Sequence, residues 1–106
     1  MAQSQEALGY ILLTGVAEKE DGQFVSYCPE LGTSSCGDTV DEALANLGEA
    51  IEVHLDALEE VGTLHDVLRE RHIRIDSGPP PSEELLRVPS EKIITSYRRP
   101  VPVVAI

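Results

Sequence analysis

The side chains in this sequence with the greatest capacity for chemistry are two cysteines, Cys28 and Cys36, three histidines, His54, His65 and His72, and 19 acidic residues set against 8 basic ones. The cysteines have seven residues between them, including a Pro-Glu-Leu-Gly turn, a spacing that lets two thiols meet across neighbouring strands. A zinc site would need two further ligands from the histidines, and none falls at a spacing that zinc sites use. The plainer explanation is two small thiols, buried or half-buried in a sheet. His54 lies on the flank of an apolar helical face, where a hydrogen-bonded histidine at the core edge is expected. His65 and His72 read as surface residues. No glycine-rich phosphate loop, Gly-x-Ser-x-Gly elbow or Cys/His pair with a local signature occurs. A metal-dependent nuclease needs carboxylates projecting together from strand interiors, whereas Glu18, Glu30 and Asp38 fall at strand ends or in loops. Asp38, beside Thr39, is explained by the positive end of a helix. The expectation is a chain that is not an enzyme and holds no metal or cofactor.

The charge carries more information once it is placed. Residues 1–66 hold 14 acids and one base, Lys19, a net −13, whereas residues 67–106 hold 5 acids and 7 bases, a net +2. Such a surface repels phosphates and attracts a basic protein. The N-terminal stretch lacks a basic segment followed by an apolar one, and no apolar run approaches the ~20 residues of a membrane span. A cytoplasmic protein with reduced thiols and no membrane contact is therefore expected.

A chain of 106 residues is one small domain whose thin core, with 4 aromatic residues, would gain from oligomerisation. Residues 10–18 and 23–28 are rich in β-formers and flank Asp21-Gly22, a pair suited to a tight hairpin turn. Residues 33–36 predict a short third strand. Thr39 and Glu42 form a reciprocal capping box, after which Val40, Ala43, Leu44, Leu47, Ile51, His54, Leu55, Leu58 and Val61 recur at helical spacing until Gly62. On a helical wheel these fall within about 120°, and Asp41, Glu42, Glu49, Glu52, Asp56, Glu59 and Glu60 fall within about 100° on the other side. A merely solvated helix usually mixes charge signs, so this purity favours a partner. Thr63 is placed to cap a second helix over residues 64–71, and residues 72–76 alternate as a short strand.

Residues 1–76 thus read as a body, 77–82 as a stiff Pro-rich linker and 83–106 as a tail. The tail predicts a helical turn at 83–87, a β-prone run at 92–97 and then an extended apolar end. Pro100 and Pro102 forbid a central strand there, so the segment reads as docking on its own body or on another subunit. Ile93, Ile94, Tyr97, Val101, Val103 and Val104 are its candidate oligomerisation residues. Arg98-Arg99 lack the helices of a ribbon–helix–helix module, and no helix-turn-helix pattern is present, so DNA binding is not expected.

The ordered residues FVSYCPELG and CGDTVDEALANLGEAI resemble the HicB-like antitoxin domain over residues 10–62. The resemblance implies an α+β, partial ribonuclease H-like fold, a three-stranded antiparallel sheet crossed by one long amphipathic helix, without the full set of catalytic acids. It also implies an antitoxin that covers HicA, a small basic mRNA-degrading ribonuclease, and that forms homo-oligomers. Residues 63–106 depart from the DNA-binding module that many members carry, which removes the basis for autorepression. The Pro-Gly that commonly follows the Asp/Glu-Leu element is also missing. The acidic surface, Glu49, Glu52 and Asp56 with Glu30, is then the expected partner-binding set. A stand-alone interaction module without a toxin is the alternative, and a weak metal-dependent nuclease using Glu30 or Asp38 is a third.

Overall fold

A computed structural model describes residues 7–77, 85–87 and 92–103. Strands β1 (Ala7–Glu20) and β2 (Gln23–Cys28) form the expected hairpin. Asp21 and Gly22 in its turn have φ of 49° and 80°, the left-handed values that a two-residue turn requires and that glycine adopts without penalty. Strand β3 (Thr33–Gly37) returns antiparallel to β2 and leads into helix α1 (Val40–Glu60). Thr39 Oγ1 accepts the Glu42 N–H at 3.0 Å. The Glu42 carboxylate reaches one residue further back than the reciprocal box expects, accepting the Asp38 N–H at 3.1 Å. Helix α2 (Leu64–Glu70) follows, but Thr63 does not cap it with its side chain. The Thr63 hydroxyl instead donates to the Leu58 carbonyl at 3.5 Å and helps close α1.

The sheet is larger than the three strands expected. Strands β4 (Ile75–Ser77), β5 (Leu85–Arg87) and β6 (Ile93–Val103) join it. Its order is β3-β2-β1-β6-β5, with β4 also paired to β1. Residues 85–87 are a strand where a helical turn was expected. Strand β6 runs antiparallel along β1 from Ala7↔Val103 to Ala17↔Ile93, so the segment docks on the chain's own body as a full strand, with an edge and not a central position at Pro100 and Pro102.

Register explains why. The Thr14 N–H points away from β6, towards Glu30. Backbone groups alternate in a regular antiparallel ladder, so the even residues of β1 turn to β2 and β4 and the odd ones bond to β6. Pro100 and Pro102 lie opposite Tyr10 and Leu8, with their nitrogens on the outer side of β6. Strand β5 covers that side only at residues 93–95. The prolines therefore occupy an open edge where no donor is needed and where they block a further strand.

Helix α1 lies on the sheet face formed by the odd residues of β1. Of its buried residues Ala43, Leu44, Leu47, Ile51 and Leu55, the last three meet Ile11, Leu13, Cys28, Leu31 and the α2 residues Leu64 and Leu68. Val101, 1% exposed, belongs to the same core, and Ile93 completes a smaller cluster with Ala17 and Leu44. Burial of Ile93 and Val101 at about 1.5–3 kcal/mol each anchors β6 to the body.

Candidate partner-binding surface

Three of the α1 carboxylates converge on one guanidinium. Arg99 of β6 places Nη1 2.8 Å from Glu52 Oε1, and Nη2 3.1 Å from Asp56 Oδ1 and 3.3 Å from Glu59 Oε1. Positions 52, 56 and 59 form one stripe of helix surface, and α1 contains no base of its own. The Arg99 side chain is 16% exposed, whereas its three partners remain 44–66% exposed. Glu52 and Asp56, expected to face a partner, thus share their charge with the chain's own C-terminal segment.

Two residues earlier along β6, the Tyr97 ring sits between β1 and α1. Its hydroxyl donates to the Leu44 carbonyl at 2.5 Å. A Cβ on Gly15 would overlap Tyr97 Cε2, and one on Gly48 would stand 3.1 Å from Cε1. Glycine inside a strand or helix costs roughly 0.5–1 kcal/mol, and here two such glycines make the slot for one ring. Sequence reasoning missed this pairing, although a glycine inside the apolar run and another inside the helix were its visible signs.

Glu49 lies outside the Arg99 cluster on the exposed crest of α1. Beside it Val53 is 70% exposed. Both residues border two shallow grooves that flank the helix. One, of about 590 Å³, runs towards Tyr97 and Arg98. The other, of about 700 Å³, runs towards β3, past Thr33, Asn46 and His54. His54 Nδ1 lies 3.1 Å from Thr33 Oγ1, at the core edge as expected. Asn46 Nδ2 donates to the Cys36 carbonyl at 2.9 Å, tying the crest to the edge strand.

Glu30 lies apart from this surface. It follows β2, where β1 is left between two partners: along β1, pairing with β4 ends at Ile11 and pairing with β2 begins at Val16. The carboxylate fills the gap, accepting the Thr14 N–H at 2.9 Å and the Thr14 hydroxyl at 2.7 Å. It does the work of a missing strand.

The two cysteines do not meet. Cys28 is buried and Cys36 exposed, both free. Cys28 pairs with Thr33 and Cys36 with Val25, which puts them on opposite sheet faces. Burial, reinforced by the neighbouring Glu30 charge, pushes the Cys28 thiol up to about 11. Among the described residues no group of three or more His, Cys, Asp or Glu is placed to hold a metal ion. No helix among them is long and apolar enough to cross a membrane.

The expected oligomerisation residues divide. Ile93 and Val101 are buried in the chain's own core and Tyr97 packs against it. Ile94 lies on the opposite sheet face, half-buried. Val103 pairs with Ala7, and Val104 lies outside the described residues.

No family model matches the chain, and no solved structure matches it. The curated proteins include a relative over part of the chain, the UPF0150 protein ssr1765 of Synechocystis sp.. It is 47% identical over 47 residues, which is 42% of this chain and 60% of the relative, so the chain matches less than two thirds of that protein's length. The described residues thus form an α+β structure with an antiparallel sheet and two helices, in a chain locally similar to a UPF0150 protein.

Proposed function

We propose that this chain is a HicB-like antitoxin that neutralises a basic, HicA-type ribonuclease by covering it with the acidic side of α1. UPF0150 is a HicB-like family, and the local similarity to a UPF0150 protein supports the reading. The observation that carries the mechanism is the grip of Glu52, Asp56 and Glu59 on Arg99. This helix face holds a guanidinium by three charge-assisted contacts, the interaction that a basic nuclease surface would offer. Six of the seven α1 carboxylates remain in excess over that one cation, enough to steer a basic partner into fast encounter. The chain then acts by occlusion and needs no catalytic site of its own.

Arg99 also sharpens the choice of residues. Replacing Glu52 or Asp56 breaks a contact inside the chain, so the cleaner probe is Glu49, with Val53 beside it. The test is stopped-flow association with a small basic protein encoded by a reading frame adjacent to this one, across a salt series. Glu49→Lys is expected to slow association several-fold and to flatten its salt dependence, leaving the fold intact. Unchanged rates and salt slope would overturn the steering role. The Arg99 cluster also favours the alternative of a stand-alone module whose acidic face is satisfied internally. Absence of complex formation with any adjacently encoded basic protein would decide for that reading.

A further inference from the structure

We propose that the groove between α1 and β6 is the anchor site of the acidic surface: it receives an exposed apolar side chain of the basic partner, and Glu49 pairs with a base beside that side chain. The inference rests on the partner reading above and divides the roles within it, charge governing encounter and the groove governing residence. Ala45, Glu49 and Val53 recur every four residues along α1, and all three are exposed, Val53 to 70%. They border the groove of about 590 Å³, whose far side is the half-buried Tyr97. Packing keeps this groove open. A Cβ on Gly48 would stand 3.1 Å from Tyr97 Cε1, and its helical neighbour Ala45 contributes only a methyl group. The tolerance of α1 for the Tyr97 ring thus leaves an apolar depression on its exposed side.

Charge selects the occupant. Around the groove the carboxylates of Glu49, Glu52, Asp56 and Glu59 stand against Arg98 and Arg99, and α1 adds no base. Glu49 takes part in none of the ion pairs among the described residues. An apolar side chain flanked by acids would meet like charge at this rim, whereas one flanked by Lys or Arg meets Glu49. Exposed rim charges contribute little to the lifetime of a complex and much to its rate of formation. Binding energy concentrates instead where an apolar anchor is sealed from water inside such a rim.

The groove on the other flank of α1 suits this occupant less well. Thr33, Ser35, Asn46 and His54 line it, and an apolar anchor there would strip hydroxyl, amide and imidazole groups of water without replacing their hydrogen bonds.

Dissociation kinetics of the full chain with a small basic protein encoded by an adjacent reading frame test the proposal. Ala45→Phe fills the groove with a ring and leaves the charge unchanged. It is expected to speed dissociation about 30-fold, while the salt dependence of association stays as in the parent. Val53→Ser trims the exposed wall and serves as a second variant, expected to speed dissociation about threefold. Ala50→Phe borders only the other groove and is expected to dissociate at the parent rate; circular dichroism of each variant reports its fold. Folded Ala45→Phe and Val53→Ser variants that dissociate as slowly as the parent would overturn the anchor site and leave the antitoxin reading standing. So would equal acceleration by Ala50→Phe. If no complex forms, the antitoxin reading falls, and phenethylammonium, an aromatic ring tethered to a cation, decides the groove on the chain alone. Amide NMR shifts at Ala45, Glu49 and Val53 that saturate at about millimolar probe and vanish in Ala45→Phe support the site. Shifts that are absent, or spread evenly along α1, overturn it.

Discussion

The Tyr97 hydroxyl donates to the carbonyl of Leu44 across 53 residues of sequence, while its ring fills the space left open by Gly15 and Gly48. One side chain of β6 thereby fixes both the height of α1 above the sheet and the register of β6 beside β1. The acidic helix and the C-terminal strand are held as one unit, and Arg99 reaches its three carboxylates from the same strand face.

Gly48→Ala separates helix propensity from packing. In an ordinary helix interior this change stabilises by about 1 kcal/mol. Here the new methyl meets a ring that its own hydrogen bond holds in place, so a loss of about 1 kcal/mol is expected. In a Tyr97→Ala background the ring is absent and the sign should reverse to a gain. Urea unfolding of the four proteins of this double-mutant cycle measures both effects.

Arg99→Ala removes a largely buried guanidinium and leaves Glu52, Asp56 and Glu59 close together without it. The carboxylates are about half exposed, so the cost lies between that of a surface pair and a buried one, about 1–2 kcal/mol. Added salt should narrow the difference from the parent chain in denaturant midpoint. The same variant should associate faster with a basic partner, because more of the helix charge is then uncompensated.

Glu30→Ala leaves the Thr14 N–H without its carboxylate acceptor in the gap between β2 and β4. A loss of about 1–3 kcal/mol is expected. Glu30→Gln keeps an oxygen acceptor and should cost clearly less. Partner association of folded Glu30→Gln should match the parent, a result that would assign this residue to the sheet and not to the binding surface. Amide hydrogen exchange at Thr14 follows the contact directly.

Cys28 makes stability fall in alkali. Its thiol ionises near 9.0 when unperturbed and only at about 11 in the folded chain. Below pH 9 both states keep the proton and the contribution is complete. From there to about 11 the unfolded chain loses the proton first, and stability drains away as pH rises. The denaturant midpoint of the parent should therefore fall more steeply over this window than that of Cys28→Ala. At neutral pH an alkylating reagent should modify Cys36 first, since it is the exposed thiol.

The hairpin, the third strand and α1 were legible because their signals are local. Asp21-Gly22 specifies its turn by backbone sterics, the Thr39 cap and apolar spacing specify the helix, and the −13 body is a count of residues. Each depends on neighbours within about one or two helical turns, which a linear reading contains. The C-terminal half was not legible in the same way. Whether a proline can enter a sheet depends on which edge its nitrogen faces, and that parity exists only once β6 is paired with β1. Whether Glu52 and Asp56 are free depends on a cation more than 40 residues away, and whether Glu30 serves a surface or a strand depends on a gap between two other strands. The sequence by itself determined which residues are apolar, charged or able to turn. The tertiary structure decided which charges are already satisfied and which faces remain open, because both are properties of pairs brought together across the chain.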